Sequence, residues 1–66
     1  MNIGGKLREL RTEEGLTQEV LAKELQISRS ALSMYEIGAN QIPHELILAI
    51  AKFFDVSVDY LYGLED

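Results

Sequence analysis

Only Gln26 and Ile27 separate Leu25, the last apolar position of one short helical period, from Ser28, a residue suited to cap the next. Helices joined this closely cannot fold back antiparallel; a connection of three or four residues sets them at roughly 90 to 120° to one another. Before the gap, Thr17 is placed to cap a helix in which Leu21, Ala22 and Leu25 share one inward sector, leaving Glu19, Lys23 and Val20 on the far side. After it, Ala31, Leu32 and Tyr35 point inward together, and Arg29, Ser30, Ser33 and Met34 fall within an outward sector of about 140°. That outward stripe carries one charge and is rich in groups that form hydrogen bonds.

The remaining chain reads in the same way. Asn2 can cap a first helix with Ile3, Leu7 and Leu10 on one face, ending near Gly15. Its Gly4 and Gly5 weaken the first turn by up to about 1 kcal/mol each. Gly38-Ala39-Asn40-Gln41 reads as a turn, Pro43 opens a fourth helix, and Ser57 caps a short fifth one ending at Gly63. The expectation is an all-α, compact five-helix fold with helices at about 3–14, 18–25, 29–36, 44–54 and 58–62, forming one domain over residues 1–66. A chain this short hides only about 60% of the surface its unfolded form exposes. With no cysteine and a single histidine, His44, neither a disulfide framework nor a Cys/His zinc site can reinforce it, so the apolar faces must carry the fold.

Several function classes drop out. The longest apolar run, Leu46 to Ala51, is far below the roughly 20 residues that cross a bilayer, and the opening Met1-Asn2-Ile3-Gly4-Gly5 lacks the order of a secretory signal. A cytoplasmic protein without membrane contact is expected. His44 is far in sequence from any nucleophile, and Glu13 and Glu14, being adjacent, point to different sides of a helix, so no catalytic residue, metal ligand or cofactor is expected. The net charge of −5 argues at first sight against a polyanionic partner. Counted by segment, it does not. In residues 1 to 35, Lys6, Arg8, Arg11, Lys23 and Arg29 balance Glu9, Glu13, Glu14, Glu19 and Glu24; the acidic surplus lies entirely in the second half.

The stretch Leu16-Thr17-Gln18-Glu19-Val20-Leu21-Ala22, followed by Ile27-Ser28-Arg29-Ser30 and Tyr35-Glu36-Ile37-Gly38, resembles the phage-repressor and Cro type (XRE-like) helix-turn-helix family. Lys6-Leu7-Arg8-Glu9-Leu10-Arg11 is similar to the family's first helix, and Ala51 to Leu61 to its last helix junction, so the likeness spans about residues 3 to 63. It implies a double-stranded DNA-binding transcriptional regulator, a repressor, that reads the major groove with its third helix as a homodimer on a pseudo-palindromic operator. Gln18 matches a phosphate-contacting glutamine, and the start of the third helix, Ser28, Arg29, Ser30, Ser33 and Met34, would approach the bases. Arg29 presents a fork that suits guanine O6 and N7, whereas Met34 could touch only a thymine methyl or the apolar surface of a sugar. Asn40 and Gln41 would grip the sugar-phosphate backbone.

The same resemblance pairs Arg11 with Glu36 as an internal salt bridge and places the two-fold contact on the C-terminal helices, with Leu46, Phe53, Tyr60 and Tyr62 as dimer candidates. On the fourth helix Ile47, Ile50, Ala51 and Phe54 make one face, with Leu46 and Phe53 at its edge, which suggests an uncovered surface. The chain departs from the family at Gln26, where glycine is favoured. A left-handed backbone costs a side-chain-bearing residue roughly 1 to 2 kcal/mol, so an altered turn is expected. The shortage of basic residues predicts a salt dependence of DNA binding shallower than in basic relatives. The competing reading is a protein-interaction module of the same fold, antitoxin-like or regulator-binding, with little affinity for DNA.

Overall fold

The computed structural model describes residues 2–64, so Met1, Glu65 and Asp66 of the expected 1–66 domain lie outside the described residues. Five helices follow one another: α1 (Ile3–Glu13), α2 (Gln18–Leu25), α3 (Arg29–Glu36), α4 (His44–Phe54) and α5 (Val58–Leu61), with no strand among the described residues. Four begin on a side-chain cap, in which the oxygen of Asn2, Thr17, Ser28 or Ser57 accepts from a backbone N–H three residues on, at 2.6, 3.1, 3.0 and 2.9 Å. The fourth helix starts after Pro43 without such a bond. No described helix is long and apolar enough to cross a membrane.

The helices end alike. At each C-terminus a left-handed residue turns the chain: Gly15, Gln26, Gly38, Asp55 and Gly63. Gln26 adopts φ 60°, ψ 40°, so the expected alteration of this turn does not occur. Its N–H donates to the Lys23 carbonyl and the Ile27 N–H to the Ala22 carbonyl at 2.9 Å, satisfying two carbonyls that the helix end would otherwise leave open. Ile27 then packs against the core. Two hydrogen bonds and one half-buried aliphatic side chain outweigh the conformational cost of a non-glycine residue there.

Leu7, Leu10, Leu21, Ala22, Leu32, Ile47, Ile50, Ala51 and Leu61 form the core, drawing on all five helices. Against it lean Leu16, Leu25, Ile27 and Val56, residues from the turns and helix ends, together with Leu46 and Tyr60. Gly4 explains why glycine stands in the first turn of α1 despite its cost. It is buried, and a Cβ there would overlap the Tyr35 carbonyl oxygen and stand 3.0 Å from that of Glu36, so only glycine lets α1 meet the end of α3 this closely.

Candidate nucleic-acid interface

The α2–turn–α3 unit is held from behind by a polar cluster. Arg11, on α1, donates from Nε to Glu36 Oε2 at 2.7 Å and from Nη2 to Glu36 Oε1 at 3.1 Å, while its Nη1 reaches the Leu16 carbonyl at 2.8 Å. Glu36 is buried, with only 1% of its side chain exposed. The second acceptor bond on its Oε1 comes from Gln18 Nε2 at 3.0 Å. One carboxylate thus ties the end of α3 to α1 and to the first residue of α2, and no described buried side-chain polar atom lacks a partner. Burial costs the charge its hydration, and the bidentate guanidinium with the amide replaces it.

The opposite side of α3 is bare. Arg29, Ser30 and Met34 are exposed and Ser33 is half-buried, and these four side chains together line one shallow depression on the outer surface of the helix. Arg29 takes part in no salt bridge among the described residues. Ser28 is exposed, with its hydroxyl oxygen already engaged as the cap of α3. Asn40 and Gln41 are exposed in the segment joining α3 to α4, where they border an open cleft of about 500 Å³ floored by Ile3, Ile42 and Ile47. Gln18 differs from these in having an inner partner. Its amide nitrogen is anchored on Glu36, and one N–H of the half-buried amide is left over from that bond.

The structure divides the four dimer candidates. Leu46 and Tyr60 are half-buried and pack against the protein's own core, and Lys6 Nζ sits 4.3 Å from the centre of the Tyr60 ring, covering it. Phe53 and Tyr62 remain exposed, Phe53 packed edge-on against Phe54 with ring centres 4.9 Å apart. The sequence reading missed Leu48, which is 48% exposed. The helical wheel held the signal: measured from the centre of the Ile47, Ile50, Ala51 and Phe54 face, Leu46 lies roughly 90° away, and Leu48 and Phe53 roughly 110° away on opposite flanks. The exposed apolar groups of α4 therefore do not form one continuous patch.

This geometry matches known proteins over nearly its whole extent. A family model described as helix-turn-helix matches residues 7–61. The chain belongs to the helix-turn-helix family. It is similar to the HTH-type transcriptional activator BcrR of Enterococcus faecalis, at 42% identity over 66 residues, covering 100% of this chain and 32% of that protein. It is also similar to the uncharacterized HTH-type transcriptional regulator YobD of Bacillus subtilis (strain 168), at 39% identity over 61 residues, covering 92% of this chain and 54% of the relative. The chain thus spans about a third to a half of the length of these curated relatives. Among solved structures, the P22 c2 repressor protein, crystallised in complex with synthetic operator 9T in the presence of Tl+, superposes with a TM-score of 0.88 at 28% identity over 98% of each chain. The bare face of α3 is accordingly the outer face of the second helix of a helix-turn-helix.

Proposed function

We propose that the chain is a sequence-specific transcriptional regulator that binds double-stranded DNA by laying the outer face of α3 in the major groove. The observation that carries this is the contrast across α3: its inner side is locked by Glu36 and Leu32, while Arg29, Ser30, Ser33 and Met34 stand together on the outside with no side-chain hydrogen bond or salt bridge among the described residues. A helix about 10 to 12 Å across fits the major groove, which is about 12 Å wide. Arg29, at the N-terminal end of α3, forks a guanine; Ser30 and Ser33 accept or donate to neighbouring base edges. Gln18, with the N–H that Glu36 leaves over, the cap region at Ser28, and Asn40 with Gln41 hold the sugar-phosphate backbone and fix the register.

Repression is the sign this reading favours, because occupancy of a duplex is itself enough to exclude other proteins from it. The proteins the chain is similar to include both an activator and a repressor, so the sign is part of what must be tested. The site of action is the cytoplasm, and binding is as a homodimer on a pseudo-palindromic operator, with exposed Phe53 and Tyr62 as the contact residues and Leu46 and Tyr60 behind them. Sedimentation at micromolar concentration should show a dimer that Phe53→Glu converts to monomer; a wild-type monomer both free and on DNA removes the dimer from the proposal.

Selection of bound fragments from random DNA is the direct test. The expected product is a motif with two-fold symmetry whose half-sites lie about 10 base pairs apart. A protein-interaction module of the same fold would retain no fragment above background.

A further inference from the structure

The outer face of α3 holds one side chain whose chemistry hydrogen bonding to bases leaves unused. Met34 is 40% exposed and has only a weakly accepting thioether. On the helical wheel it closes the outward sector about 140° from Arg29, with Ser33 and Ser30 between them. It shares a single depression with Arg29, Ser30 and Ser33. The residues expected to meet base edges and this apolar one therefore face the same surface.

Base edges in the major groove offer one apolar group, the C5 methyl of thymine, and a cytosine methylated at C5 offers the same group in the same place. A thioether pressed against an exocyclic amine, a carbonyl oxygen or N7 would take water from that atom and return no strong hydrogen bond. Methionine suits a methyl, since its unbranched chain can follow the surface offered to it. Arg29 and Met34 are five residues apart, a rise of about 7.5 Å along α3, so the two side chains reach different base pairs of one half-site.

Building on the assignment of α3 to the major groove, we propose that Met34 reads the C5 methyl group of a pyrimidine in the same half-site as the guanine forked by Arg29. The operator then carries thymine at that position, and where cytosine stands there instead, methylation at C5 strengthens binding. Met34 is thereby a specificity-determining residue, and the site a sensor of one methyl group.

The test uses the full chain and duplexes recovered by selection, resynthesised with uracil in place of each thymine in turn, a change that removes the methyl and nothing else. Burial of one such group corresponds to a change in affinity of about fourfold. At one position per half-site, uracil should weaken wild-type binding by about that factor while leaving Met34→Ala and Met34→Gln indifferent. Cytosine and 5-methylcytosine compared at the same position should differ by a similar factor in the wild type alone. The proposal is overturned if no uracil substitution weakens the wild type, or if the variants lose as much as the wild type does. Failure of every duplex to bind a protein that remains folded by circular dichroism would instead remove the DNA-binding reading itself, and this inference with it.

Discussion

The two sides of α3 treat polar groups in opposite ways. Toward α1 and α2, the carboxylate of Glu36 receives three hydrogen bonds and is sealed from water; toward solvent, Arg29, Ser30 and Ser33 line a depression that no other element covers. The helix is the same eight residues in both cases, so propensity does not make the difference. A buried charge is tolerable only when its partners are fixed, which makes the inner side a matter of folding. An unpartnered face in water costs the fold little and leaves its hydrogen-bonding capacity for a ligand. Substitutions inside should move stability, and substitutions outside should move binding.

The largest test of that division is Arg11→Ala, which strands Glu36 with a single amide partner and should cost about 3 to 5 kcal/mol of folding stability, read as a fall in urea midpoint. An unchanged midpoint would mean that the inner cluster contributes no more than a surface pair. Next comes Gly4→Ala. The added methyl would overlap the Tyr35 carbonyl, a backbone atom that cannot swing away, so α1 must shift; a loss of about 1 to 3 kcal/mol is expected in the same titration. If α1 instead sits loosely on α3, helix propensity alone would make alanine stabilising, and the sign of the effect decides between them.

On the outer side, Arg29→Ala should leave the melting transition in place while lowering affinity for the selected operator by about 1 to 3 kcal/mol and relaxing the preference at one base pair. A large drop in melting temperature would show that the outer face also supports the fold and would blur the distinction. The smallest effect concerns the turn between the two helices. Gln26→Gly relieves a left-handed side-chain-bearing residue and should raise stability by about 1 kcal/mol, with operator affinity unchanged in equilibrium binding.

Much of this architecture is legible in the chain before any coordinates. Thr17, Ser28 and Ser57 cap helices because their oxygens reach an N–H three residues ahead, a purely local event. Arg29, Ser30, Ser33 and Met34 share a face because the helix repeats every 3.6 residues. Leu46 and Tyr60 show where such reasoning stops. Both are apolar or aromatic near an apolar face, and the wheel gives an angle but not whether a neighbour stands at that angle; Tyr60 finds Lys6 from the other end of the chain. Gln26 shows a different limit, since its conformational cost is visible in the sequence while the packing of Ile27 that offsets it is not.

The order of residues by itself determined five helical segments, their caps, the abrupt bend between Leu25 and Ser28, and the outward stripe that follows, all of which depend on atoms within about one helical turn. Tertiary structure alone decided that Gln18 lends its amide to Glu36, that Gly4 admits the backbone of α3, and that Lys6 covers the ring of Tyr60. These outcomes bring together groups far apart along the chain, or rest on what stands beside a helix. Local geometry fixes the direction of a side chain, and only the placement of the other helices supplies what it meets there.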